Sequence, residues 1–95
     1  MKSLTVIGKV WIYPGVGGWH FINIDKDTAA KIKKVAKTYG AGFVKIKATL
    51  GKTSWTTALF PQTKTGTYLL SIKAAVRKKE DVWAGDNISI TIELI

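Results

Sequence analysis

Apolar and polar residues alternate over short stretches of this chain, and glycine, proline and aspartate separate those stretches. This alternation is typical of strands that bury one face. It is cleanest from Phe43 to Leu50, where Lys45 and Lys47 fall on the polar side. The pattern predicts six strands, at about Ser3–Tyr13, Trp19–Asp25, Phe43–Leu50, Thr53–Phe60, Thr67–Ile72 and Ile88–Leu94.

One helix is predicted between the second and third strands, with Asp27 as its N-cap and Gly40 just past its end. Apolar residues at helical spacing define its buried face: Ile32, Val35, Ala36 and Tyr39. Lysines cover the other face: Lys31, Lys33, Lys34 and Lys37. A shorter helical segment, Ala74–Lys79, is predicted before the last strand.

The predicted strands need a fold that leaves few exposed sheet edges. The chain has 95 residues, which fits a single domain spanning 1–95 and leaves little room for a thick two-layer sandwich. Closing the sheet on itself removes its edges. We therefore predict a mainly β protein: a small closed six-stranded β-barrel of the double-split or cradle-loop type, with one helix after strand two and a helical turn before the last strand.

Several stretches together resemble an uncharacterised bacterial family of small β-barrel domains of unknown function, sometimes joined to a bacteriocin-protection (OmpD-associated) domain. The stretches are Tyr13-Pro14-Gly15, Gly18-Trp19, Gly42-Phe43-Val44, Gly51-Lys52-Thr53-Ser54-Trp55, Leu59-Phe60-Pro61, Gly66-Thr67-Tyr68, Ile72-Lys73-Ala74-Ala75-Val76-Arg77-Lys78 and Ala84-Gly85-Asp86. The resemblance covers nearly the whole chain, and it implies a fold without implying a reaction.

The last third is also similar to the strand, short helix, Gly-Asp turn and strand unit of AbrB/MazE-type DNA-binding proteins and antitoxins. The similarity runs from Leu70 through Gly85-Asp86 into Ile90. It implies an alternative function, that of a homodimeric DNA-binding regulator or antitoxin.

Charge is the most distinctive feature of the composition, because 15 basic residues against 6 acidic ones give a net charge of +9. Such a charge attracts anionic ligands and nucleic acid. Arg77 is the only arginine, and sequence reading in DNA relies on the arginine fork. Non-specific binding is therefore favoured over sequence-specific binding. The alternative is a lysine-rich surface that only keeps the protein soluble.

A candidate ligand-binding site combines cations with an aromatic ring: Lys45, Lys47, Trp55, Lys73 and Arg77. If Trp55 and Thr57 point outward, the indole lies beside Lys45 and Lys47, an arrangement that suits single-stranded nucleic acid or a nucleotide. If Trp55 points inward, it is a core residue instead. The two orientations are both compatible with the sequence.

The residues offer little for catalysis, so we predict a binding module with no enzymatic activity, metal or cofactor. There is no cysteine, and the single histidine, His20, lies in a predicted strand. Gly51-Lys52-Thr53 is no P-loop, because a strand follows it. With no signal-peptide pattern and no long apolar run, we expect a cytoplasmic monomer or homodimer that does not bind membranes.

Overall fold

The computed structural model describes residues 3–15, 17–40 and 42–95, so Val16, between the predicted first and second strands, lies outside the described residues. The strands are β1 (Ser3–Lys9), β2 (Trp11–Ile12), β3 (His20–Ile24), β4 (Thr38–Tyr39), β5 (Phe43–Leu50), β6 (Thr53–Gln62), β7 (Thr67–Ser71) and β8 (Asn87–Leu94). The helices are α1 (Lys26–Val35) and α2 (Ala74–Glu80). The mainly β prediction with two helical segments is confirmed.

All strands belong to one antiparallel sheet in the order β1-β8-β5-β6-β7-β3-β2, with β4 paired to the start of β5. The sheet curls into a half-barrel. Its two ends approach each other, because an added Cβ on Gly8 in β1 would lie 3.3 Å from Cβ of Ile22 in β3. Closure into the predicted six-stranded barrel stays a prediction.

The predicted first strand is interrupted at Val10, where the chain changes its pairing partner. β1 pairs with β8 and β2 pairs with β3. Between them, the Val10 amide donates to the Asp86 carbonyl at 2.9 Å, and the Val10 carbonyl accepts from the Gly85 amide at 2.8 Å. The turn before β8 therefore holds the break, and the single strand Ser3–Tyr13 of the sequence prediction is wrong.

The core fills the concave side of the sheet. Alternate residues of β5 and β8 point into it, including Val44, Ile46, Ala48, Ile90 and Ile92. Helix α1 closes part of this side with Ala29 and Ile32, both fully buried. No polar or charged residue is buried in the described part of the chain, so burial there is driven by the hydrophobic effect.

Helix α1 begins and ends earlier than the sequence pattern predicts. Asp25, not Asp27, is its N-cap, since the Thr28 amide donates to Asp25 Oδ2 at 3.0 Å. The hydrogen bonds from Thr28 also hold the pKa of the Asp25 carboxyl below its usual value of 3.8. At the other end the helix stops at Val35, and Tyr39 lies in β4, paired with Phe43.

Helix α2 agrees closely with the predicted segment, and its C-cap is Asp81, whose φ of 55° is left-handed. The carboxylate of Glu80, its last residue, accepts a 2.6 Å hydrogen bond from the Thr53 hydroxyl. This bond ties α2 to the turn between β5 and β6. Neither helix of the described ranges is long and apolar enough to span a membrane.

Candidate functional site

The structure contradicts one member of the predicted ligand-binding set. Trp55 is only 6% exposed and belongs to the core. Its partner across the β5–β6 ladder is the buried Ala48, so its side chain points to the concave side. Thr57 lies opposite the buried Ile46 and points the same way. The hypothesis that Trp55 stacks on a ligand is therefore wrong.

The four predicted cations lie on the surface but do not form one site. Lys45 and Lys47 are exposed on the convex face of β5. Lys73 is the N-cap residue of α2, and Arg77 lies one turn into that helix. Lys45 lines one cavity, whereas Lys73 and Arg77 line another. The cations thus fall into two separate groups.

The larger cavity, of about 750 Å³, lies beside the C-terminal half of α1. The start of β1, the start of β5 and the end of β8 complete its wall. Its apolar lining residues are Leu4, Val35, Ala36, Val44, Leu94 and Ile95. Val35 is 70% exposed, so this predicted core residue faces the open cavity instead of the closed interior.

Four lysines complete the lining of this cavity: Lys31, Lys34, Lys37 and Lys45. Among the described residues, no aspartate or glutamate side chain lines it. Three of the lysines come from the lysine face that the sequence predicted for the helix. An apolar surface bordered by cations suits a molecule with a hydrocarbon part and an anionic group. We call this feature the lysine-rimmed cavity.

The second group of cations borders a smaller cleft of about 220 Å³ beside Trp19 and His20. The His20 Nδ1 lies 2.7 Å from the Gly18 carbonyl, so it donates to that oxygen. Its Nε2 then accepts from Arg77 Nη1 at 3.4 Å. Arg77 Nε also donates to the Ile72 carbonyl at 3.1 Å. His20 and Arg77 therefore hold the loop before β3 against α2, which is a structural role.

A feature that sequence reasoning missed lies on the convex face: a continuous group of aromatic rings, here called the aromatic strip. Its members are Trp11, Tyr13, Trp19, Phe21, Tyr39, Phe43 and Phe60. Neighbouring ring centroids lie 5.5 to 6.4 Å apart. One sign of this strip was visible in the sequence. In the alternation of β5, Phe43 falls on the same polar face as Lys45 and Lys47.

Four of the six acidic residues have structural partners. Besides Asp25 and Glu80, the Asp81 carboxylate accepts from the Trp83 indole at 2.8 Å, and that of Asp86 accepts from the Trp83 amide at 2.9 Å. Within 3–15, 17–40 and 42–95, no three His, Asp or Glu side chains cluster as metal ligands would. The arrangement is suited to binding through cations and apolar surface.

Comparison with known proteins identifies the family alone. No curated protein matches the chain. The sequence matches the domain of unknown function DUF1905 over residues 7–92, which is nearly its whole length. The resemblance to an uncharacterised small-domain family is thereby confirmed, and the chain belongs to the DUF1905 family.

Proposed function

We propose that this protein is a non-catalytic binding module for an amphipathic anion, held in the lysine-rimmed cavity. The observation that carries the proposal is a cavity of about 750 Å³ with an apolar wall, four lysines and no acidic side chain among its described lining residues. Small-molecule sites typically enclose roughly 300 to 1,000 Å³ and are mainly apolar, with a few polar groups that orient the ligand.

The lining residues of the cavity indicate which of them would contact each part of the ligand. Val44 and Leu94 belong to or pack against the core, so they offer a firm apolar wall for a hydrocarbon chain. Each methylene transferred from water onto such a wall contributes about 0.8 kcal/mol. Lysine side chains present mobile ammonium groups at the rim, which suit a carboxylate or phosphate without fixing its orientation.

The proposal needs no cofactor and no reaction step. The acidic residues that accept hydrogen bonds hold the N-cap of α1, the contact between α2 and β6, and the turn before β8. We further propose that the protein acts in the cytoplasm, in keeping with a chain that contains no cysteine.

A pair of matched ligands and a pair of matched variants test the proposal. Calorimetric titration with decanoate and with decanol compares the same apolar chain with and without an anionic group. We expect decanoate to bind more tightly than decanol. K31Q/K34Q should weaken decanoate binding by about tenfold, because each exposed charge contact contributes up to about 1 kcal/mol, and should leave decanol binding unchanged.

The control variant is K52Q/K64Q, which removes the same charge from lysines that do not line the cavity. It should bind decanoate as the unmodified protein does. Equal affinity for decanoate and decanol would contradict the role of the lysines. Equal losses of decanoate affinity in K31Q/K34Q and K52Q/K64Q would show that only the net charge matters. If neither decanoate nor decanol binds, the proposal is overturned.

The regulator alternative has one supporting observation, the order of β7, α2, the Gly85-Asp86 turn and β8. Gly85 has a φ of +97°, which glycine adopts readily, and it initiates the turn as the resemblance implies. A regulator of this kind requires a dimer that matches half-site spacing on DNA. Sedimentation equilibrium would reject this alternative if the protein stays monomeric while the cavity binds decanoate.

A further inference from the structure

We infer that the aromatic strip and the cations beside it form a binding surface for single-stranded nucleic acid. The strip lies on the convex face of the sheet, and its surface shares Lys45 with the lysine-rimmed cavity. Nucleic acid needs two things from a protein surface: cations for its phosphates and flat rings for its bases. The strip places both on one face.

The register of the sheet aligns the strip across several strands. Phe60 lies opposite Leu69 in the β6–β7 ladder, and Leu69 lies opposite Asn23 in the β3–β7 ladder. Asn23 in turn accepts a 3.1 Å hydrogen bond from the Trp11 indole. Phe60 and Leu69 are thus neighbours on the convex face, and Asn23 beside them supports the Trp11 ring through its hydrogen bond. Strand pairing positions Trp11, Phe21, Phe43 and Phe60, and Tyr13 and Trp19 are joined by a 2.8 Å backbone hydrogen bond just outside β2 and β3.

The rings at the margins of the strip are accessible, whereas the central ring supports them. Trp19, Tyr13 and Tyr39 are 52%, 53% and 51% exposed, respectively. Phe21 is only 5% exposed, and Trp19 lies parallel to it, with 9° between the ring planes and 6.1 Å between centroids. One face of the Trp19 indole thus rests on Phe21, and the exposed part remains for a base to stack on.

Cations lie beside the strip in two places. On β5, Lys45 is two residues from Phe43 on the same face, and Lys47 is two residues further. Beside Phe60 and Phe21, Trp19 lines the small cleft together with Lys73 and Arg77. Two cation groups separated by a row of rings suit a chain of phosphates, because a small anion reaches only one group at a time. The geometry thus favours a polymer.

The strip itself contains no charged residue, and the net charge of the chain is +9. Exposed aromatic surface without charge is also typical of interfaces between proteins. A second copy of this chain carries the same +9, however, so two copies repel each other at low salt, whereas a polyanion is attracted. A double helix hides its base faces in the stack, so the exposed rings favour single strands.

The test uses fluorescence anisotropy of a labelled thymidine 15-mer, single-stranded or paired with its complement, at about 50 mM and about 200 mM salt. We expect the protein to prefer the single strand and to lose affinity steeply with salt. W19A should weaken binding of the single strand by about tenfold, since one stacked base is lost. W19F should retain most of the affinity because it keeps a ring.

Two control variants isolate the surface from general effects. W83A removes a tryptophan that is 67% exposed and lies outside the strip, so it should leave affinity unchanged. K73E and K52E change the charge equally, but only Lys73 lies beside Trp19. K73E should therefore weaken binding more than K52E, and it should lower the salt slope by about one.

Three outcomes would overturn the inference. One is absence of binding to the single strand at about 50 mM salt. Another is equal binding of single and double strands with no effect of W19A, which would reduce the interaction to net charge. The last is concentration-dependent self-association that W19A abolishes while the 15-mer stays unbound, which would make the strip an interface between copies. The calorimetric titration of K31Q/K34Q with decanoate tests the lysine-rimmed cavity, and its result does not depend on any of these three outcomes.

Discussion

Two tryptophans of this chain have opposite roles in the structure. Trp55 points to the concave side and is 6% exposed, whereas Trp19 lies on the convex side and is 52% exposed. The pattern around Trp55 could not decide its orientation, because β6 carries threonine or apolar residues in both phases. The ladder decides it, since the partner of Trp55 is Ala48 on the cleanly alternating β5.

This difference in burial predicts that removing the two side chains lowers the free energy of unfolding by unequal amounts. W55A should lower the free energy of unfolding by about 3 to 5 kcal/mol, because it leaves a cavity in the core. W19A should cost much less, since its ring is half exposed. Urea denaturation of both variants measures the difference, and the milder W55F keeps the comparison possible if W55A does not fold. Similar costs for W55A and W19A would contradict the assignment of Trp55 to the core.

At the scale of elements, the N-cap of α1 is a pH-sensitive contribution to stability. The pKa of Asp25 is lowered in the folded protein by hydrogen bonds from Thr28. The stabilisation is therefore fully present above the ordinary pKa of 3.8, and it is lost as the pH falls through the lower folded value. Asp27 lies in the first turn of the helix and is not the N-cap.

We expect D25A to lower the free energy of unfolding at pH 7 by about 1 kcal/mol, as is typical when an N-cap is removed. D27A is the matched control and should cost less. The difference between D25A and the unmodified protein should narrow as the pH falls below about 4. Thermal unfolding followed by circular dichroism across this range provides the measurement. An unchanged difference at low pH would show that the carboxylate charge does not contribute.

Elements with a single buried face were predictable from the sequence, and elements defined by distant contacts were not. β5 is predicted with its observed bounds because its alternation is uninterrupted. The break at Val10 depends on the turn at Gly85-Asp86, about 75 residues away, and the end of α1 depends on pairing of Tyr39 with β5. Local patterns carry no information about either contact.

The same reason explains the outcome at the candidate sites. The lysine face of α1 was visible in the sequence, but the cavity also requires Leu4, Val44 and Leu94, which only the curled sheet brings together. The exposed position of Lys45 followed from alternation alone. Its aromatic neighbours on the convex face depended on the register of four strands, which single-sequence patterns do not specify.

At the scale of the whole molecule, the net charge of +9 opposes the folded state through self-repulsion. Screening relieves this repulsion, because the Debye length falls from about 30 Å at 0.01 M to about 8 Å at 0.15 M salt. We therefore expect the melting temperature to rise by a few degrees over this range of sodium chloride. K52Q/K64Q, with less charge, should show a smaller rise. A melting temperature that falls with added salt would contradict this account.

The aromatic strip also makes several strands apolar on both faces, which affects how they find their partners. Tyr68, Leu69 and Leu70 of β7 are consecutive and all buried. A shift of β7 by one residue would exchange Leu69 and Leu70 between the two faces at little hydrophobic cost, whereas the same shift in β5 would bury Lys45. The β5–β6 hairpin, with Gly51 at a φ of +60° in its turn, can set its own alignment. β7 must take its alignment from that hairpin, so pairing errors during refolding should concentrate at β7, whose Leu69 pairs with Phe60 of the strip.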